Sequence, residues 1–124
     1  MVSSDDPRHA AGRLGERLAA EHLERLGFAL VERNARTRYG ELDIIACDGR
    51  VLVFAEVKTR RGENGRPFEA LDPHKQKQVR RMATQWLVQT TDRPWSAELR
   101  FDAIGIILDG QGRLLRLEHL EGAF

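Results

Sequence analysis

The stretch VLVFAEVKT, residues 51–59, constrains the fold more than any other part of the sequence. Side chains alternate between the two faces of a strand, and both faces are apolar over the first half of this segment. A strand that is apolar on both faces is typical of the centre of a sheet covered on both sides. The far end of the segment nevertheless places Glu56 and Lys58 on one face. The segment therefore predicts a buried central strand with charged groups at one end.

The rest of the chain predicts helices and further strands around this one. A first helix is expected over residues 6–26, with Asp6 as its N-cap and Gly27 just beyond its end. A second helix is expected over residues 73–89, with Asp72 as its N-cap. Strands are expected over residues 28–32, 41–47, 51–59, 99–108 and 114–120, and residues 60–71 are expected to form an irregular loop. The order α-β-β-β-α-β-(β) favours an α/β fold with a mixed central sheet flanked by helices.

The first helix has a feature that bears on the site. Its apolar half contains Gly12 and Gly15 as well as leucines and alanines. Glycine lowers helix stability, so we expect both glycines to allow close packing against a neighbouring backbone. In a projection at 3.6 residues per turn, Glu16 falls at the border of the apolar half. Its carboxylate is therefore expected along the edge of the core.

A turn at Asp48-Gly49 is predicted to join the strands over 41–47 and 51–59, because this dipeptide is a strong hairpin signal. A turn centred on these two residues places Glu41 opposite Glu56, with Asp43 diagonal to Glu56. Glu41, Asp43, Glu56 and Lys58 then project from one face. The hairpin therefore predicts a cluster of carboxylates and one lysine at the end of a buried strand.

Such a cluster needs compensation, because converging carboxylates repel one another and resist desolvation. A divalent cation would compensate them, and Mg²⁺ typically takes one or two carboxylates together with water. Lys58 would orient or help to deprotonate an attacking water, or stabilise charge on a phosphate. The alternative is a structural ion pair between Glu56 and Lys58.

Charge is unevenly distributed along a chain whose net charge is only +1. Residues 58–81 contain eight basic and three acidic side chains, whereas residues 1–32 and 96–124 are each net acidic. This local excess of positive charge favours a surface that faces a polyanion. The alternative is a solvated surface stretch. With the carboxylates and the lysine, the basic segment fits metal-assisted hydrolysis of a phosphodiester.

The spacing Asp43-x12-Glu56-x-Lys58 resembles the core motif of the PD-(D/E)XK nuclease superfamily, which includes restriction endonucleases and archaeal Holliday-junction resolvases. The predicted order of helices and strands is also similar to the core of that superfamily. Nearly the whole chain resembles the YraN-like family of small bacterial proteins. The matching stretches are GRLGERLAAEHLERLGF (12–28), RNAR (33–36), YGELDIIACDG (39–49), VFAEVKTR (53–60), HKQKQVRRMATQWL (74–87) and RFDAIGI (100–106).

The resemblance implies a restriction-endonuclease-like αβββαβ core, with residues 1–124 as a single nuclease domain. It implies that Asp43, Glu56 and the backbone carbonyl of Val57 hold Mg²⁺ or Mn²⁺, and that Lys58 is the catalytic lysine. Glu16 matches the glutamate on the first helix of resolvase-like members, which would complete the acidic cluster.

The resemblance also places Lys75 or Gln76 at the polar position that begins the second core helix. The candidate contacts to phosphate or nucleic acid are Lys75, Gln76, Arg60, Arg61 and Lys77. Glu41 is a candidate accessory group of the site, and the alternative for it is a bond to a backbone amide or to an arginine.

The expected function is hydrolysis of DNA, including branched or otherwise structured DNA, by a Mg²⁺- or Mn²⁺-dependent endonuclease. The alternatives are a nucleic-acid-binding module that does not cleave and a nuclease subunit that needs a partner. A two-fold homodimer is also expected, because it would present two sites to two strands. The sequence has no apolar run of membrane-spanning length, no secretory signal and a single cysteine, so a cytoplasmic location without membrane contact is expected.

Overall fold

The structure is a computed structural model that describes residues 7–62 and 72–124, and side chains from residue 10 onward. The elements are helix α1 (Pro7–Arg25), strands β1 (Ala29–Thr37), β2 (Gly40–Cys47) and β3 (Val51–Arg61), helix α2 (Pro73–Gln89), and strands β4 (Glu98–Leu108) and β5 (Leu114–Leu120). This order confirms the predicted α/β class with a mixed sheet and two helices. Asp6 and residues 63–71 of the expected loop lie outside the described residues.

The sheet has the spatial order β1-β2-β3-β4-β5, which places β3 at its centre as the sequence predicts. Strands β3 and β4 are parallel, and every other neighbouring pair is antiparallel. Helix α2 lies in the connection between the two parallel strands, as parallel pairs require. In this register Glu56 lies opposite Ala103 and Lys58 opposite Gly105.

Each face of the sheet carries one hydrophobic cluster. On the α1 side, buried residues of the helix such as Leu23 pack on strand residues that include Ile44, Val53, Ala55 and Ile104. On the α2 side, the cluster includes Leu42, Ile45, Phe54, Met82 and Trp86. Burial of both faces explains the two-sided apolar pattern of β3. Of the described helices, none is both long and apolar enough to cross a lipid bilayer.

The N-terminus of α2 forms as the sequence predicts, because the Asp72 side chain accepts a hydrogen bond from the Lys75 amide at 2.9 Å. Two strands are longer than the sequence predicts. Strand β1, expected over residues 28–32, runs to Thr37. Arg60 and Arg61, expected in the loop, belong to β3. These extensions are polar, so they lack the apolar pattern on which strand prediction rests.

The two glycines of α1 differ. A Cβ atom on Gly15 would lie 1.8 Å from Thr59 Oγ1 and 2.9 Å from Thr59 Cβ, so this glycine does allow α1 to approach β3 closely. A Cβ atom on Gly12 would meet nothing within 4 Å, and the prediction of close packing there is wrong. The helical projection gives the face of a residue but not the point at which the helix touches the sheet.

The predicted hairpin register is wrong, because each residue of β2 faces a residue of β3 two positions later than predicted. Ile44 lies opposite Ala55 and Cys47 opposite Leu52, and residues 48–50 connect the two strands. The Asp48 side chain accepts hydrogen bonds from the amides of Arg50 and Val51, at 2.9 and 2.8 Å, and these bonds fix the turn and the start of β3. A shift of two positions preserves the faces of the strands but changes partners, and Glu41 is not opposite Glu56.

Candidate functional site

Strand β2 changes direction at Asp43, next to the centre of the sheet. Leu42 belongs to the cluster under α2 and Ile44 to the cluster under α1, although residues two apart on a regular strand share a face. The ladder between β2 and β3 ends at Ile44 and Ala55. One further step in that register would place Asp43 opposite Glu56. The two strands therefore separate where the sequence predicts the carboxylates to meet.

The backbone of Val57 faces the gap between the separating strands. Its amide donates a hydrogen bond of 2.8 Å to Asp43 Oδ2 instead of to the backbone of β2. The N–H and C=O groups of one residue in a strand point to the same side. The Val57 carbonyl therefore also faces the side of β3 on which Asp43 lies, as the resemblance implies for a backbone ligand.

Glu56 is buried and lies between Asp43 and helix α2. Its residue exposure is 7%. Lys75, in the first turn of α2, forms an ion pair with it, with Nζ 3.2 Å from Oε1. The sequence predicts Lys75 as a contact to nucleic acid, and the structure places its ammonium on a carboxylate of the site.

Glu16 reaches the same site from α1. The close approach of Gly15 to Thr59 brings this turn of the helix onto β3, two residues beyond Val57. Glu16 Oε1 accepts a hydrogen bond of 3.1 Å from Asn34 Nδ2, and its charge contributes to the raised pKa of Asp43. Glu16 is half-buried, in agreement with its predicted position at the border of the apolar half of the helix.

The electrostatics of the site are dominated by uncompensated negative charge. Burial and the neighbouring charge of Glu56 raise the pKa of Asp43 to about 8 from an ordinary value of 3.8. A hydrogen bond with Glu56 and the charge of Glu16 act in the same direction, and only the Val57 amide opposes them. The Asp43 carboxyl group therefore holds its proton more tightly than an ordinary aspartate does.

This arrangement suits a small, hard cation that keeps several water ligands better than a metal ion held by protein side chains alone. In residues 7–62 and 72–124 no group of three or more His, Cys, Asp or Glu side chains is arranged to hold a metal ion. Asp43, Glu56 and the Val57 carbonyl would supply two carboxylates and one carbonyl, and Mg²⁺ is commonly held by one or two carboxylates plus water. A cation at this point would relieve the repulsion between Asp43 and Glu56, so these residues fit a divalent ion.

Lys58 follows Glu56 by two residues and is exposed. It forms no ion pair with any residue that the structure describes, unlike Lys75. The alternative predicted for it, a structural ion pair with Glu56, is therefore not formed, and Lys75 takes that role. Lys58 lies three residues before the end of β3, and its ammonium is exposed without a carboxylate partner among the described residues.

The other predicted residues take different places. Glu41 is exposed and lies 3.7 Å from Arg36 Nε across the β1–β2 pair, which agrees with the predicted alternative of an arginine partner. Arg60 and Arg61 continue β3 beyond Lys58. Gln76 is half-buried in the first turn of α2, and Lys77 lies on the exposed side of that turn.

Asn34 is a site residue that the sequence analysis does not single out. It lies on β1 between the pairs Arg33–Ile44 and Ala35–Leu42, level with Asp43 on β2. Its φ of 52° is the only positive value among the non-glycine residues that the structure describes. Asparagine tolerates this left-handed conformation better than most residues. The one available signal was the match RNAR, which gives no role for the asparagine.

The structure thus defines an α/β protein with a five-stranded mixed sheet and a buried acidic site at its centre. The model of the family described as "Uncharacterised protein family UPF0102" matches residues 15–106, and the chain belongs to this family. A UPF0102 protein of Rhodococcus opacus is 46% identical over 93% of this chain and 96% of its own length. Another, from Acidothermus cellulolyticus, is 42% identical over the full length of both chains. The resemblance to the YraN-like family is confirmed, and the matched range contains Glu16, Asp43, Glu56 and Lys58.

Proposed function

We propose that the chain is a metal-dependent endonuclease of the PD-(D/E)XK type that hydrolyses phosphodiester bonds of DNA, including branched or structured DNA. One observation carries the proposal: the half-buried Asp43 and the buried Glu56 lie together where the ladder between β2 and β3 ends, and the exposed Lys58 follows Glu56 by two residues on β3. Carboxylates whose pKa is perturbed by burial and by a neighbouring like charge are concentrated at functional sites. The restriction-endonuclease-like core, with α1 and α2 on opposite faces of the sheet, forms part of this proposal.

Each side chain has a separate role in the proposed reaction. Asp43, Glu56 and the Val57 carbonyl would hold Mg²⁺ or Mn²⁺, which supplies positive charge for the phosphate and makes a water easier to deprotonate. Lys58 attracts the scissile phosphate, stabilises the charge that grows on its oxygens, and orients the attacking water. Lys75 places a positive charge 3.2 Å from the Glu56 carboxylate and so offsets part of the negative charge of the site. Glu16 accepts hydrogen bonds at the edge of the site.

The test is a cleavage assay with Mg²⁺ and with Mn²⁺ on single-stranded, duplex, flap and four-way-junction DNA and on RNA. Wild type is compared with Asp43→Asn, Lys58→Ala and Glu41→Gln. Loss of a group that acts on the transition state typically costs about 10²–10⁴-fold, so the first two variants should lose most cleavage. Glu41→Gln should cleave like wild type, because its carboxylate pairs with Arg36 on β1.

A binding measurement separates loss of metal from loss of chemistry. Calorimetric titration with Mn²⁺ should give binding to wild type and Lys58→Ala but not to Asp43→Asn. Cleavage in which all variants equal wild type would contradict the proposal, because a contaminant would then be responsible. Cleavage of RNA alone would contradict the assignment of DNA as substrate.

The second candidate is a nucleic-acid-binding module that does not cleave. The ion pair between Lys75 and Glu56 favours it, because it compensates one carboxylate without a metal. In that case folded wild type binds DNA but no member of the panel is cut, and Lys58→Ala loses only part of a salt-dependent affinity. A subunit that needs a partner, or a second copy of this chain, would instead gain cleavage when that partner is added.

A further inference from the structure

The turn between β1 and β2 is fixed onto helix α2. Gln78 Nε2 donates a hydrogen bond of 3.0 Å to the Tyr39 carbonyl, and the Tyr39 amide donates one of 3.1 Å to Thr37 Oγ1. Gly40 follows with a φ of 133°, and a Cβ atom there would lie 3.1 Å from Met82 Sδ. These contacts fix the backbone of the turn on α2, and with it the position from which the exposed Tyr39 side chain extends.

The Tyr39 ring positions two guanidinium groups. Arg81 of α2 lies 5.3 Å from the ring centroid and Arg38 of the turn lies 6.0 Å from it. An aromatic face attracts a cation within about 6 Å and leaves its N–H groups free to bind an anion. Both arginines are exposed, so the ring holds two positive charges at the surface without neutralising them.

Further cations lie beside this ring. A groove of about 280 Å³ is lined by Tyr39, His74, Lys77, Gln78 and Arg81. A second groove, of about 450 Å³, shares Tyr39 and Arg81 and continues along α2 past Arg80. Neither groove has an acidic side chain among its described lining residues. This surface is complementary to a polyanion and not to a protein of mixed charge.

We propose that Arg38, Tyr39, Lys77 and Arg81 form a binding site for the phosphate backbone of a DNA strand, separate from the acidic site. The proposal rests on the proposed function for the choice of DNA as the polyanion. Arginine forms bidentate hydrogen bonds with phosphate oxygens, and contacts to the backbone set the register of a strand without reading its sequence.

The position of this phosphate-binding surface relative to the acidic site gives it a role. Lys75, at Glu56, and Arg81, at Tyr39, are six residues apart on α2, or about 9 Å along the helix axis. Six residues also turn the helix by about 600°, so the two side chains project about 120° apart, and a strand held at Tyr39 would reach the acidic site by curving around the first turns of α2. The surface would position the scissile phosphate by gripping the strand on one side of it.

The test measures DNA binding without cleavage. Fluorescence anisotropy is recorded with labelled duplex DNA, single-stranded DNA and RNA in EDTA, over a range of salt concentrations. The variants are Arg81→Gln, Arg38→Gln/Arg81→Gln, Tyr39→Phe and Tyr39→Ala. The matched control is Arg50→Gln, which removes an exposed arginine from the loop at the opposite end of β2. Circular dichroism melting checks that each variant is folded.

Removal of one phosphate contact lowers the slope of log K against log salt by about one. If wild type and Arg81→Gln bind equally at 1 M salt, that slope corresponds to roughly tenfold weaker binding at 0.1 M salt. The double variant should lose about two in slope, and Arg50→Gln should match wild type. Tyr39→Phe keeps the ring and should bind like wild type, whereas Tyr39→Ala should bind as weakly as Arg81→Gln.

The outcomes separate this inference from the proposed function. DNA binding by wild type that all variants retain with an unchanged slope would overturn the phosphate-binding surface and leave the nuclease proposal intact. Weakened binding by the arginine variants in a protein that never cleaves would support the surface and count against the nuclease. RNA binding without DNA binding would overturn the choice of DNA, and binding of neither would overturn the surface.

Discussion

Two aspartates on the sheet, the buried Asp102 on β4 and the half-buried Asp43 on β2, have opposite surroundings. Asp102 accepts two hydrogen bonds of 2.8 Å from Arg100, one of 2.7 Å from His119 and one of 3.0 Å from the Gly122 amide. Asp43 accepts one from the Val57 amide, and its nearest charged neighbour is Glu56. One carboxylate is therefore fully compensated by the protein, and the other is not.

The pKa values of the two groups show what this difference means. Burial would raise the pKa of Asp102, but the hydrogen bonds from His119, Arg100 and Gly122 outweigh it and hold the pKa below its ordinary value. Burial and the charge of Glu56 raise the pKa of Asp43 to about 8. The fold can stabilise a buried carboxylate with protein groups alone. The protein groups around Asp43 do not offset its charge in this way, as expected of a site where a bound cation would do so.

The largest expected effect on stability is at Asp102. Asp102→Asn leaves the Arg100 guanidinium and His119 without their anion, and removal of one partner of a buried ion pair typically costs about 3–5 kcal/mol. Urea denaturation at neutral pH measures the loss, with Asp43→Asn as the matched control that should not lose stability. If both variants lost the same stability, the contrast between the two carboxylates would be wrong.

The second prediction concerns the pH dependence at Asp43. Its pKa is higher in the folded than in the unfolded chain, so its contribution to stability is complete below about pH 4 and is lost as pH rises toward 8. The lowered pKa of Asp102 has the opposite consequence, because its contribution is lost as the solution becomes acidic.

Asp43→Asn should therefore lack the fall in stability between about pH 4 and pH 8, and should exceed wild type by a few kcal/mol at the alkaline end. Urea midpoints measured across this range test the sign of the difference. A variant that kept the wild-type slope would show that Asp43 does not hold the proton.

The sequence indicates the surroundings of the two carboxylates unequally well. Asp102 and its partner Arg100 are two residues apart on the same strand, whereas the groups around Asp43 come from other elements. The pairing of Asp43 with Glu56 depends on a hairpin register, which the Asx turn at Asp48 shifts by two positions. Alternation still places the two carboxylates together, because a shift of two positions conserves the faces.

Other parts of the site depend on tertiary geometry that no local pattern contains. The ion pair of Lys75 requires the position of α2 over β3, and Gly12 and Gly15 look alike until the point of helix contact is known. The change of face between Leu42 and Ile44 has no signal in residue types. Periodicity and spacing predict which residues share a face, and packing decides which of them touch.

The smallest expected effect is at Asn34, which tests how the uncompensated site is held together. Asn34→Ala loses the bond to Glu16 and the polar side chain that makes asparagine tolerant of φ 52°, so it should cost about 1 kcal/mol. Asn34→Gly loses the same bond but adopts positive φ freely, so it should be more stable than the alanine variant. Urea denaturation of the three proteins measures both terms. Equal stability of the two variants would show that backbone conformation contributes nothing here. A loss of stability as large as that of Asp102→Asn would show that Asn34 stabilises the acidic site as strongly as the partners of Asp102 stabilise that carboxylate.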